Sequence, residues 1–145
     1  MDKQKKSTNY FNSTFNCAQS TAVVFSDEAG LSEELILKAL TGFGGGLAAM
    51  QKTCGAVTGA YFIIGLKNGK YQISDTSSKD ITYKMIRKFN KEFTQRFGSL
   101  ECLDLVGCNW STEEGRRKYT ETNLRKHVCE KCVAGAVEIL EKLLK

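Results

Sequence analysis

The chain has 145 residues, 41% hydrophobic and 26% charged, which suits one domain with a buried core. The apolar share excludes a disordered chain, and the lack of any proline excludes collagen-like or proline-rich behaviour. Net charge is +5, but Lys79, Lys84, Arg87, Lys88, Lys91, Arg96, Arg116, Arg117 and Lys118 lie among or beside acidic residues. With no aromatic RNA-binding motif and no helix-turn-helix signature, they read as solvated helix faces, so no nucleic-acid partner is expected. No run approaches roughly 18 unbroken apolar residues, so no membrane span is expected.

The polar start, Met1-Asp2-Lys3-Gln4-Lys5-Lys6, leads into Ser, Thr and Asn, so residues 1–9 are expected to be flexible. A secretory signal would place an apolar segment here, and its absence points to a cytoplasmic location. In that reducing setting the six cysteines read as thiols, metal ligands or redox partners rather than structural bridges. Asn16 caps a helix expected from Cys17 to Ala29, which Gly30 ends. Ser32-Glu33-Glu34-Leu35 opens the next, with Leu31 and Ile36 placed for a hydrophobic staple. From Lys79 to Phe97, Ile81, Met85, Phe89, Phe93 and Phe97 recur every four residues, the signature of an amphipathic helix that Gly98 stops. Ser111-Thr112-Glu113-Glu114 begins a helix toward Leu124. Val133, Ala136, Val137, Leu140, Leu143 and Leu144 form one face of a last helix. Tyr71-Gln72-Ile73 has strand character, but one strand makes no sheet. The expected fold is a single compact all-α domain over residues 1–145, a bundle of about five to seven helices.

Eight of the 13 glycines lie between residues 42 and 69. Gly42-Phe43-Gly44-Gly45-Gly46 is no phosphate loop, because Leu47-Ala48 stands where a Lys-Ser/Thr pair is needed. It is no dinucleotide fingerprint either, because no strand precedes it. Gly55, Ala56, Gly59 and Ala60 let another backbone approach a buried helix. The missing side chains at Gly55 and Gly59 would also leave room beside Cys54 for a cofactor or a second sulfur.

Cys17, Cys54, Cys102 and Cys129 each fall at or near an expected helix start, with Asn16, Thr53 and Ser99 as caps before the first three. Unpaired amides and positive potential there favour thiolate over thiol. Cys129-Glu130-Lys131-Cys132 is a CxxC whose sulfurs share a helix face and could form a disulfide or clamp a metal. It is not a covalent haem site, since Val133 follows Cys132. With no second CxxC, a zinc ribbon is unsupported, so a metal site would gather distant cysteines. Cys108, after Gly107 in a loop, reads equally as a small buried hydrophobe. The lone His127 excludes a multi-histidine metal site.

Three blocks in order, Asn16-Cys17-Ala18-Gln19, Gly42-Phe43-Gly44-Gly45-Gly46 and Cys54-Gly55-Ala56-Val57-Thr58-Gly59, resemble the C_GCAxxG_C_C family. Phe97-Gly98-Ser99-Leu100-Glu101-Cys102 with Leu105-Val106-Gly107-Cys108 looks like its third cysteine block. Cys129 with Ala136, Glu138, Ile139 and Leu140 is similar to the fourth. The resemblance spans roughly residues 10 to 144. It implies an all-helical fold, a redox or metal-associated role, and four signature cysteines at Cys17, Cys54, Cys102 and Cys129. Family members usually carry proline after the fourth cysteine, where this chain has Glu130, and Cys132 is an addition to the pattern.

Two functions follow as expectations. In the first, Cys54 is a reactive thiolate resolved by another signature cysteine, exchanging electrons with a redox partner or small electron carrier. In the second, Cys17, Cys54, Cys102 and Cys129, with Cys132 and Cys108 as additions, ligate zinc or an iron–sulfur cluster. A third reading is a structural or interaction protein with inert buried cysteines.

Overall fold

The computed structural model describes residues 2–145. Among them the chain forms nine α-helices and no β-strand: α1 (Lys3–Asn12), α2 (Cys17–Val23), α3 (Ser26–Ala29), α4 (Glu33–Ala39), α5 (Gly55–Asn68), α6 (Ser78–Phe97), α7 (Cys102–Val106), α8 (Glu113–Glu121) and α9 (Glu130–Leu143). The all-α expectation holds, with more and shorter helices than the five to seven expected.

Local capping sets most boundaries. Asn16 and Gln19 form a reciprocal box: Asn16 Oδ1 accepts from the Gln19 amide at 2.9 Å, and Gln19 Oε1 accepts from the Asn16 amide at 2.9 Å. Ser32 Oγ accepts from the Leu35 amide and Thr112 Oγ1 from the Gly115 amide. Gly98 ends α6 at φ +93°, in the left-handed region that glycine enters without penalty.

The centre is α5, whose Gly55, Ala56, Val57, Gly59, Ala60, Ile63 and Ile64 are all buried. It packs on α2, α6 and α9. A Cβ at Gly59 would lie 2.7 Å from the Ala18 carbonyl oxygen, so bare glycine is what lets α5 reach the α2 backbone. From α6, Phe89 and Phe93 enter the core and stack with ring centroids 5.8 Å apart.

Four expectations are corrected. Residues 3–12 are helical rather than part of a flexible start: Asp2 caps α1, Ser7 and Phe11 are buried, and α1 packs on α9. The helix expected over 17–29 breaks at Val24–Phe25, where both side chains turn into the core and α3 restarts. Tyr71 and Ile73 lie in an exposed turn, 90% and 97% accessible, rather than a strand. Ile81 is half exposed, because the first turns of α6 overhang the core that Phe89 and Phe93 fill.

Candidate functional site

Three loop-to-helix junctions and the start of the last helix meet at one end of α5. Cys17 is the first residue of α2, and Cys102 is the first of α7. Cys54 is itself the cap of α5, displacing Thr53 from that role, and Glu101 rather than Ser99 occupies the cap of α7. An antiparallel bridge pairs Thr53 with Glu101 and sets Cys54 beside Cys102. The Cys54 amide donates to the Leu100 carbonyl at 2.8 Å, and the Cys102 amide to the Lys52 carbonyl at 2.7 Å.

The glycine-rich segment forms the wall opposite. From Gly45 and Gly46 (φ +61° and +70°) the left-handed conformation continues through Leu47 (+69°), Ala48 (+47°) and Ala49 (+61°). Each non-glycine residue there costs roughly 1–2 kcal/mol, so tertiary bonds must hold the turn. Amides of Ala49, Gln51 and Lys52 donate to the carbonyls of Gly44, Gly45 and Gly46. The buried Gln51 side chain then ties the turn to the next loop, donating to the Cys108 carbonyl at 2.9 Å and accepting from the Trp110 amide at 2.8 Å. Ala48 is exposed, so Ala48→Gly relieves strain without opening a cavity. A gain of about 0.5–1 kcal/mol, or roughly 2–4 °C in thermal midpoint, is expected in a melting curve.

Cys129 stands at the cap position of α9, as expected, but helical backbone rather than a loop precedes it. Helical backbone begins at Leu124 and widens into a π-turn over Arg125–Cys129 before α9. Such turns re-aim the side chains that follow them. Cys129 and Cys132 both face the same cavity, of about 540 Å³, as Cys17, Cys54 and Cys102. Cys108 is buried in the core and does not line it, and Gly59 lies in the α2–α5 contact rather than at the cavity. Gly55 does line it, and a Cβ there would come within 2.9 Å of Cys17 Cβ. His127 is exposed and not among the lining residues.

The strongest influence on each of the Cys17, Cys54, Cys129 and Cys132 sulfurs comes from a sulfur on a distant element rather than from a CxxC neighbour. Cys54 is lowered from its ordinary value first by the Cys132 thiol, with the Ala56 and Val57 amides adding to this against burial and the charge of Cys129. Cys132 is correspondingly pushed up by the hydrogen bond to Cys54 and by burial. Cys129 is lowered to about 7 by the Cys17 thiol first, then against burial by the Tyr119 hydroxyl and the Arg125 charge. The hydrogen bond to Cys129 and burial raise Cys17 well above its usual range. Burial beside Cys129 pushes Tyr119 up, so its hydroxyl keeps its proton and donates to the Cys129 sulfur at 3.2 Å. Cys102, with burial as the main cause and Cys54 and Cys129 nearby, is pushed up to about 12. The result is two pairs, each a readily ionised sulfur beside one that holds its proton.

This order sets a pH dependence. Only thiolate alkylates, so labelling of Cys129 by iodoacetamide is expected to rise about tenfold per unit below pH ~7 and then level off. Labelling of Cys102 should still be rising at pH 9. Peptide mass spectrometry after a labelling pulse reads both, and a Cys129 profile still climbing above pH 9 contradicts the pairing.

Sequence reasoning missed Tyr119, Arg125, Trp110 and Arg116, all on the cavity wall. Arg116 was read as part of a solvated face, and no local motif marks the others. Among the described residues, no three cysteine, histidine or carboxylate side chains are arranged to hold a metal ion, and no helix is long and apolar enough to cross a membrane.

Five cysteines of this all-helical domain converge on one cavity. The chain belongs to the C_GCAxxG_C_C family: the family model described as "Putative redox-active protein (C_GCAxxG_C_C)" matches residues 15–143. No curated protein and no solved structure matches it.

Proposed function

We propose that the protein is a thiol–disulfide exchange protein in which Cys54 is the attacking sulfur and Cys132 the resolving one. The observation that carries this is that both sulfurs line one cavity wall, with Cys132 the neighbour that lowers Cys54 most and Cys54 the neighbour that raises Cys132 most. In the forward direction Cys54 thiolate attacks a disulfide, forms a mixed disulfide and expels one thiolate. Cys132 then gives up its proton and attacks the Cys54 sulfur, releasing the second thiol and leaving a Cys54–Cys132 disulfide. Two electrons pass from the protein to the substrate, and a dithiol reductant of the cell would return them. Cys17 and Cys129 form a second pair able to do the same, and Cys102 stays a thiol. All six cysteines are free, which suits a reducing cytoplasm.

A second reading gives the same convergence to a metal centre. A zinc ion needs four ligands, thiolates at about 2.3 Å, and no such set is gathered among the described residues. An iron–sulfur cluster spreads its thiolates over several irons and so accepts wider spacing, with Cys17, Cys54, Cys102 and Cys129 as its ligands.

One preparation tests both readings. Protein purified without air or chelator is analysed for iron, zinc and acid-labile sulfide, and its thiols are counted before and after mild oxidation. Exchange predicts metal-free protein that loses thiols reversibly in twos, with Cys54 and Cys132 joined in the peptide map. Near-stoichiometric iron and sulfide would overturn it in favour of the cluster. Thiols that neither oxidise nor label until unfolding would leave an inert structural protein.

A further inference from the structure

We propose that the cavity selects a small anionic disulfide, whose carboxylates are held by Arg116 and Arg125 at its rim. The inference rests on the exchange reading above and adds the substrate class to it.

Size comes first. Cys54, Cys129 and Cys132 are only 6%, 8% and 2% accessible, so their sulfurs are recessed within the wall. A disulfide on a folded protein would have to be inserted into the cavity to reach them. A low-molecular-weight disulfide enters a cavity of about 540 Å³ whole.

Charge comes second. Among the described residues, Arg116 and Arg125 are the only charged side chains on the cavity wall apart from the cysteines, and no aspartate or glutamate lines it. Neither arginine forms an ion pair among the described residues. Arg116 Nη1 donates to the Trp110 carbonyl at 2.7 Å, and Arg125 Nη2 donates to the Phe11 and Phe15 carbonyls. The Arg125 guanidinium also lies 3.8 Å over the Phe11 ring. Backbone carbonyls and a ring orient both guanidinium groups without neutralising them, and each keeps further N–H donors for a carboxylate. Trp110, on the same wall, has a buried indole N–H with no acceptor among the described residues. The wall therefore offers donors and positive charge, while Ala49, Leu105, Val106 and Val128 supply an apolar lining.

The test is single-turnover oxidation of reduced protein by three disulfides: glutathione disulfide (anionic), 2-hydroxyethyl disulfide (neutral) and cystamine (cationic). Each rate is divided by that of the same disulfide with 2-mercaptoethanol, which removes intrinsic reactivity. The wild-type protein is expected to favour the anionic over the neutral disulfide at least tenfold and the cationic one least, with the preference shrinking in high salt. Arg116→Gln is the cleaner variant, because Arg125 is a main cause of the Cys129 shift and Arg116 is among the main causes for no cysteine. Its anionic-to-neutral rate ratio is expected to fall about fivefold or more, and Arg116→Lys to retain most of it. A ratio is the readout because a general loss of activity does not move it. Reaction with all three disulfides without charge preference, or a ratio unchanged in both Arg116→Gln and Arg125→Gln, overturns the substrate class and leaves exchange standing. Failure of every disulfide to react overturns the exchange reading and this assignment with it.

Discussion

Cys132→Ser protein is expected to stop at a mixed disulfide. Serine keeps a hydroxyl beside Cys54 that can still donate to its thiolate, so the first attack proceeds. What disappears is a second sulfur held next to the first, and with it the large effective concentration of an intramolecular nucleophile. Release of the second thiol should slow by more than about a hundredfold. Intact-mass analysis after one equivalent of glutathione disulfide should show protein plus a single glutathione, where wild-type protein shows only loss of two hydrogens. The Cys54→Ser variant should show neither on this pair. If Cys132→Ser resolves as fast as wild type, the resolving sulfur is Cys129, Cys102 or Cys17, and the Cys54–Cys132 pairing plays no part in turnover.

Gly59→Val is expected to give the largest loss of stability of any single change in α5. Even a Cβ at this position would sit 2.7 Å from the Ala18 carbonyl oxygen and 3.1 Å from Ala18 Cα, both backbone atoms that no rotamer change can move aside. Valine adds two methyl groups to that overlap, so α2 and α5 must separate. Overpacking against fixed backbone costs about 3 kcal/mol, well above the few tenths of a kcal/mol that replacing glycine by valine in a helix interior returns. A fall in thermal midpoint on the order of 5–10 °C is expected by calorimetry. Because Cys17 begins α2 and Cys54 caps α5, the separation should also weaken the match between their two sulfur pairs. A midpoint within 1–2 °C of wild type would show that the contact can relax.

The parts of the fold readable in the sequence are those fixed within a few residues. The Asn16–Gln19 box and the Ser32 and Thr112 caps each follow from side chains three positions from the amides they serve, and the stop at Gly98 from a residue free to turn left-handed. The close approach at Gly55 and Gly59 was also legible, because only a missing Cβ permits it. Spacing misled where burial decides. Ile81 continues the α6 stripe, yet it is half exposed while Phe89 and Phe93 further along are buried. Leu47, Ala48 and Ala49 adopt a conformation their own preferences oppose, enforced by carbonyls of the glycine run and by Gln51. The cysteine positions at helix starts could be read for Cys17 and Cys102. The choice of partner could not: the CxxC suggests Cys129 with Cys132, whereas the π-turn and the packing of α9 give each a sulfur from a distant segment. Tyr119 and Arg125 act on Cys129 through the same long-range assembly.

The antiparallel bridge at Thr53 and Glu101 makes two amides report on one event. The Cys54 and Cys102 N–H groups each donate across it, so both exchange with solvent deuterium only when the two loops part. They belong to one opening unit, and that unit is the floor of the cavity. A covalent link from Cys54 to Cys132 would anchor one of these loops to α9, lowering the frequency of opening for both amides together. Oxidation of the site would then be legible as matched protection at two backbone positions, only one of which belongs to a residue in the disulfide.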